Sequence, residues 1–127
     1  MATELANAAN EFVAAIDSLD VDAMLDRTAE VAQGVDEISR RWIRGKADVG
    51  TYLRQLTSSV SDVRTELKDV SENVWGEVGV LTCWLEQTYM LEGREQHVSA
   101  PTTLVFHREG GEWKLSLFHS VPLPEQA

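Results

Sequence analysis

The spacing of apolar residues changes near residue 60, and this change most constrains what the chain can fold into. Before it, apolar residues recur every three or four positions, as from Leu5 through Phe12 to Leu19, which predicts an amphipathic helix. From Val63 onward apolar and polar residues alternate, as they do in half-exposed strands. A chain with helices first and consecutive strands afterwards is expected to form an α+β fold.

The first part of the chain predicts three helices. Asp20 is expected to cap a short second helix that runs through Leu25, and a third helix begins near Gly45. Residues 28–42, between the second and third helices, are interpreted as a short strand and a loop. Gly50 lies inside the third helix, where an interior glycine costs up to about 1 kcal/mol relative to alanine.

The second part predicts four strands, at about residues 62–70, 74–91, 94–109 and 112–121. Glu92-Gly93 and Gly110-Gly111 suit two-residue hairpin turns, which require positive φ. With these turns, Cys83 opposes Thr102, which in turn opposes His119 in the last strand. A bulge at Pro101 is the main feature that would shift this register.

The register divides the side chains between two faces of the sheet. The inner face, which is the more apolar, includes Leu81, Cys83, Leu104, Trp113 and His119 and is expected to pack under the helices. The outer face carries a mixed aromatic patch that includes Val80, Trp84, Val105 and Phe118. Such a patch is typical of a subunit interface, so we predict a homodimer; the alternative is that these side chains are exposed or covered by loops.

Composition excludes several classes of partner. The chain has 127 residues, a formal net charge of −10 and one cysteine, so we expect a single domain over residues 1–127 without an internal disulfide. The first residues lack the pattern of a signal peptide, and no apolar run is long enough to span a bilayer. We take the basic residues to be dispersed along the chain. The net negative charge then argues against a surface that binds nucleic acid or anionic lipid. We therefore predict a cytoplasmic protein.

Several of these residues together resemble the SnoaL-like family of the nuclear transport factor 2-like (ketosteroid isomerase-like) superfamily. They are Trp42 and Gly45 before the third helix, Trp113 after the Gly110-Gly111 turn, and Phe118-His119-Ser120 in the last strand. The resemblance implies a cone in which a curved mixed or antiparallel sheet wraps around the N-terminal helices and encloses one pocket. It also implies dimers formed through the outer face.

The resemblance leaves function open, because a fold does not determine a reaction. Relatives include isomerases, polyketide cyclases, dehydratases and epoxide hydrolases, which implies a domain that binds a small apolar molecule and uses acid/base chemistry without a cofactor. The alternative is a non-catalytic dimerisation or association module whose pocket is filled by its own side chains. A cavity of about 300 Å³ or more with His119 exposed inside it would favour ligand binding.

Two residues are candidates for catalysis, and eight for the pocket wall. An imidazole can act as acid or base near neutral pH, so His119 is one candidate, with a buried structural histidine as the alternative. Asp36, next to Glu37, is the other, since an apolar cavity raises the pKa of a carboxyl group; adjacent acids in a loop are also often simply solvated. The predicted pocket wall consists of Phe12, Trp42, Tyr52, Leu81, Cys83, Thr102, Leu104 and Trp113.

Other site chemistries fit the sequence less well. The tyrosine that binds the oxyanion in the isomerases aligns with Phe12, which has no hydrogen-bond donor. Cys83 and His119 lie two strand spacings apart, roughly 10 Å, which is beyond the reach of a nucleophile and its base. His97 and His107 are ten residues apart on one strand, and His107 is predicted on the face opposite His119. No metal site is therefore predicted.

Overall fold

The computed structural model describes residues 3–124, and within them three helices pack on one face of a six-stranded mixed sheet. The strand order is β2-β1-β6-β5-β4-β3, with β1 and β6 parallel and the other neighbours antiparallel. The predicted α+β class is confirmed. In chain order the elements are α1 (Glu4–Asp17), α2 (Val21–Asp26), β1 (Thr28–Asp36), β2 (Ile43–Arg44), α3 (Lys46–Thr57), β3 (Val60–Trp75), β4 (Val78–Leu91), β5 (Arg94–Glu109) and β6 (Glu112–Ser120).

Side-chain capping and apolar spacing define the first two helices. The Thr3 hydroxyl accepts a hydrogen bond from the Ala6 N–H at 3.0 Å, and the predicted cap Asp20 accepts one from the Ala23 N–H at 3.0 Å. Leu5 and Phe12 are buried on the predicted apolar stripe of α1. Among residues 3–124, no helix is both long and apolar enough to cross a bilayer.

Gly50 lies inside α3 because α2 approaches that helix closely. A Cβ at this position would lie 3.2 Å from Leu25 Cδ1, which is tighter than ordinary van der Waals contact. The glycine therefore lowers helix propensity but lets the two helices pack against each other.

The hairpin turns at Glu92-Gly93 and Gly110-Gly111 are confirmed, and all four residues have positive φ. The break between the first two strands lies later than predicted. The prediction placed residues 74 and 75 at the start of the second strand, but β3 continues to Trp75 and the chain reverses at Gly76-Glu77. Gly76 has a φ of 59°, so the turn depends on a residue without a Cβ. The segment lacks the Asn-Gly or Asp-Gly signal of common tight turns, so the sequence placed the break between the first two strands earlier, at residues 71–73.

The register of β6 differs from the prediction beyond Leu115. Phe106 pairs with Leu115 as expected, but Val105 pairs with Leu117, so one extra residue, Ser116, lies between the two pairs. The Ser116 hydroxyl donates to the Val105 carbonyl at 3.0 Å. No register shift occurs at Pro101, which pairs directly with Trp84. The extra residue Ser116 forms a bulge in β6, and this bulge moves every later β6 side chain to the opposite face of the sheet.

The largest buried cluster lies between α1 and the middle of the sheet. It joins Leu5, Ala9 and Phe12 of α1 to inner-face residues that include Leu81 and Leu104, each of which is 1% exposed. A second buried cluster comprises Val63, Leu85, Tyr89, Val98 and Ala100. The helices thus cover the inner face, as the apolar pattern predicted.

Candidate functional site

A cavity of about 140 Å³ lies beside this core, between the helices and the inner face. Its walls are mainly apolar and come from α1, α3, β1 and the ends of β4 and β6. The volume is close to that of an apolar cavity of about 150 Å³ that accepts benzene, and it is below the roughly 300 Å³ typical of drug-sized ligands. The cavity can therefore hold a ring or a short chain.

Of the eight residues predicted to form the pocket wall, Phe12 and Tyr52 line this cavity. The other six lie outside the lining that residues 3–124 provide. Leu81, Cys83, Leu104 and Trp113 belong to the core beneath α1, Thr102 is buried against Ser120, and Trp42 is 40% exposed. The correction has a packing cause: α1 fills the centre of the inner face, so the space remains nearer one end.

His119 lies on the outer face, which corrects its predicted position in the pocket. The β6 bulge pairs His119 with Thr103, while Ser120 pairs with Thr102 and their hydroxyl oxygens are 2.8 Å apart. The His119 ring instead lies 5.8 Å from the Trp42 ring, measured between centroids. His119 therefore does not reach the cavity.

The bulge also moves Phe118, which was predicted on the outer face as part of the dimer interface. Its ring lies 6.3 Å from the Phe12 ring and lines the cavity. The other predicted interface residues, Val80, Trp84 and Val105, occupy outer-face positions of β4 and β5, and Trp84 is 37% exposed. Cys83 is buried, which raises the pKa of its thiol to about 11 and opposes a nucleophilic role.

Asp36, the other predicted catalytic residue, lies in the cavity lining at the end of β1. Its Oδ1 accepts hydrogen bonds from the Ile38 N–H at 3.0 Å, the Ser39 N–H at 2.7 Å and the Tyr52 hydroxyl at 2.8 Å. Its Oδ2 lies 3.0 Å from the same hydroxyl. The carboxylate thus holds the turn after β1 and orients Tyr52, and its acceptor positions are largely occupied.

Glu37 is the less constrained of the two carboxylates. Its Oε1 lies 3.4 Å from the Tyr89 hydroxyl, a long hydrogen bond. Burial is the main cause that raises the pKa of Glu37, and the neighbouring charge of Asp36 adds to the rise. Its own backbone hydrogen bond and that from Tyr89 act in the opposite direction. Glu37 is therefore placed to exchange a proton in the cavity.

Two tyrosines complete the polar end of the cavity. Burial and the negative charge of Asp36 raise the pKa of Tyr52 far above its usual value. Burial and the charge of Glu37 raise the pKa of Tyr89 to about 12. Both hydroxyls therefore remain protonated at neutral pH and act as donors. The hydrogen bond of Tyr89 with Glu37 joins residues that lie 52 positions apart in the chain.

This arrangement, a helix-covered mixed sheet with a cavity between them, agrees with the family comparison. The model of the SnoaL-like domain family matches residues 5–124, and the chain belongs to this family. A search of curated proteins found no match.

Solved structures show the same α+β cone fold at low sequence identity. A candidate dehydratase of the nuclear transport factor 2-like family from Streptomyces avermitilis has a TM-score of 0.87 at 19% identity, covering 96% of each chain. A candidate calcium/calmodulin-dependent protein kinase II association domain from Xanthomonas campestris has a TM-score of 0.85 at 17% identity, covering 97% of this chain and 88% of that one. A ketosteroid isomerase-like protein from Erwinia carotovora atroseptica has a TM-score of 0.79 at 15% identity, covering 94% and 93%.

Proposed function

We propose that the protein binds a small, largely apolar molecule in the cavity and transfers a proton to or from it, with Glu37 as the acid/base group. The observation that carries this proposal is a half-buried carboxyl group with a raised pKa at the polar end of an otherwise apolar cavity. Glu37 replaces His119 in this role because His119 faces the other side of the sheet.

The size of the cavity limits the substrate. A volume of about 140 Å³ holds a single ring, so the part of the substrate that enters is far smaller than a steroid. This cavity does not reach the threshold of about 300 Å³ set from the sequence, and it is not filled by core packing either. A second, more open depression of about 540 Å³, lined by residues that include Cys83, Thr102 and His119, lies apart from it. A carbonyl, hydroxyl or epoxide on a ring or short chain fits this space.

The proposed chemistry uses the four polar groups at this end of the cavity. The ionised Glu37 removes a proton from the bound molecule, and in a reverse step its carboxylic acid returns one. Tyr89 orients the carboxyl group through its hydrogen bond. Asp36 holds Tyr52, whose neutral hydroxyl is placed at the same end of the cavity. We propose no cofactor for this step.

Hydrogen–deuterium exchange of cyclohexanone in D₂O tests the proposal, because this ketone fits the cavity and exchanges its α-hydrogens when a base removes them. We expect the wild-type protein to accelerate exchange, measured by NMR, and Glu37→Gln to lower the acceleration by about 100-fold or more. Glu95→Gln, at an exposed strand position, serves as the matched control and should exchange as the wild type does. Acceleration that survives Glu37→Gln would exclude Glu37 as the base.

Binding is tested separately from chemistry. Ile16→Phe adds a ring to the cavity wall and should abolish the rise in melting temperature that excess cyclohexanone produces. Ala14→Phe adds the same ring at an exposed position of α1 and should leave that rise intact. If cyclohexanone does not stabilise even the wild-type protein, the cavity does not bind such molecules.

We also propose that the outer face mediates self-association, and we retain a homodimer as the expected state. Trp84 is 37% exposed there, on the same side of the sheet as Val80 and Val105, and two solved neighbours are candidate association domains. Trp84→Glu should shift the sedimentation profile toward monomer, whereas Gln55→Glu on the helical side should not. An unchanged profile for Trp84→Glu would exclude this interface. A cytoplasmic location also remains a prediction.

A further inference from the structure

The acidic chain contains a local concentration of positive charge that the overall composition conceals. Four of its 11 basic residues, Arg40, Arg41, Arg44 and Lys46, lie within seven positions. The expectation that basic residues are dispersed is therefore wrong for this segment, which joins β1 to α3.

Two arginines of this segment, Arg40 and Arg41, are available to a ligand. Lys46 lies 3.8 Å from a carboxylate oxygen of Glu30, but within residues 3–124 no carboxylate comes within 4.0 Å of the arginine side-chain nitrogens. Arg44 is engaged on the outer face, where its Nε donates to Gln33 Oε1 at 3.3 Å and its guanidinium packs over the exposed Trp42 ring at 5.7 Å. The exposed guanidinium groups of Arg40 and Arg41, in a chain of net charge −10, favour binding of an external anion.

This arginine cluster begins at the mouth of the cavity. The Arg40 N–H donates to the Asp36 carbonyl at 3.1 Å, which closes the turn that carries Glu37. Ile38 and Ser39, in the same turn, line the cavity, and Ile38 is 37% exposed, so the cavity reaches solvent beside the cluster. An anionic group on a molecule in the cavity would thus emerge next to Arg40.

An anionic group would not enter the cavity itself. Burying an ionised group in an apolar space without a partner is costly, and Asp36 and Glu37 would repel it. A molecule with an apolar end and an anionic end would therefore bind with its apolar end in the cavity and its anionic end in solvent.

We propose that the substrate is amphiphilic, and that Arg40 and Arg41 bind its carboxylate or phosphate group while its apolar part occupies the cavity. This inference rests on the proposed function of the cavity and adds the class of molecule that the cavity receives. It also assigns the arginine cluster a role in specificity.

Two probes test the inference, phenylbutyrate and phenylbutanol, which share a phenyl ring on a four-carbon chain but end in a carboxylate and in an uncharged alcohol. We expect calorimetry at low ionic strength to show that the carboxylate binds about tenfold more tightly than the alcohol, the gain from one charge-assisted hydrogen bond. High salt should narrow this difference because the Debye length falls to about 3 Å near 1 M. A phosphate ester of the same alcohol shows whether phosphate is preferred to carboxylate.

The double variant Arg40→Gln/Arg41→Gln should lose the preference for the carboxylate but still bind phenylbutanol, which also shows that it is folded. The matched control Arg64→Gln/Lys68→Gln removes two basic residues from β3 and should keep the preference. Equal binding of both probes by the wild type, or a preference that survives in the double variant, would overturn the inference while leaving the proposed cavity function intact.

Two further outcomes separate the proposals. If neither probe binds, both this inference and the proposed cavity function fail. If a single-stranded oligonucleotide binds the wild type and not the double variant, while phenylbutyrate gains nothing over phenylbutanol, the cluster binds nucleic acid and the inference is wrong.

Discussion

The inner face of the sheet has two regions that differ in what covers them. Around Leu81 and Leu104, α1 fills the space, and both side chains are 1% exposed. Around Tyr52 and Glu37, the helices leave a cavity of about 140 Å³ with four polar side chains at one end. An apolar sheet face in the sequence therefore indicates where helices pack, but it does not indicate where a cavity remains between the helices and the sheet.

Polar contacts distinguish the second region. A tightly packed core has no room for carboxylates, whereas the cavity end contains Asp36 and Glu37, each bonded to a tyrosine. The packed region therefore stabilises the fold, and the cavity region accepts polar groups at a cost in stability. Three substitutions test this difference.

The largest effect is expected in the packed region. Leu104→Ala removes a side chain that is 1% exposed and should lower the free energy of unfolding by about 2–5 kcal/mol, measured by equilibrium urea unfolding. Leu56→Ala, at a half-buried position of the cavity wall, is the matched control and should cost clearly less, because the space beside it is already empty. Equal costs at the two positions would contradict the contrast between the regions.

An intermediate effect is expected at Asp36. Asp36→Ala removes the acceptor of two backbone N–H groups and of the Tyr52 hydroxyl, and should cost about 1.5–3 kcal/mol by the same measurement. Glu95→Ala removes an exposed carboxylate and should change stability by less than about 0.5 kcal/mol. A near-neutral Asp36→Ala would mean that the turn after β1 does not depend on this side chain.

The smallest effect concerns the dependence of stability on pH. Burial raises the pKa of Glu37 in the folded state, so the folded protein binds this proton more tightly than the unfolded chain does. The stability that this bound proton adds is fully present below the pKa of Glu37 in the unfolded chain. It is lost as pH rises from that value through the pKa of Glu37 in the folded protein, and it remains lost at higher pH.

Glu37→Gln should remove this loss. Its stability relative to the wild type should rise across the same pH window and then stay constant, as measured by urea unfolding at a series of pH values. Glu95→Gln, at an exposed position of β5, serves as the control for a general charge effect. A relative stability of Glu37→Gln that falls as pH rises would show that the carboxylate form is favoured in the folded protein.

Much of the fold follows from local patterns in the sequence. Asp20 caps α2 because a short acceptor side chain precedes an apolar helix, and the Gly110-Gly111 turn forms because both residues tolerate positive φ. The β4–β5 register follows from the turn at Glu92-Gly93 and extends without a shift from Leu91 to Val78. Each of these features depends on neighbours in the chain or on one hairpin.

The sequence by itself therefore determined the α+β class, the helices, two hairpins and the presence of acidic residues after β1. Only the tertiary structure decided the bulge at Ser116, and with it the outward position of His119 and the inward position of Phe118. It also decided that Glu37 meets Tyr89 and that the cavity lies beside α1 rather than beneath it. The physical reason is that one extra residue in a strand reverses every later side chain, and that space between helices depends on contacts between residues far apart in the chain.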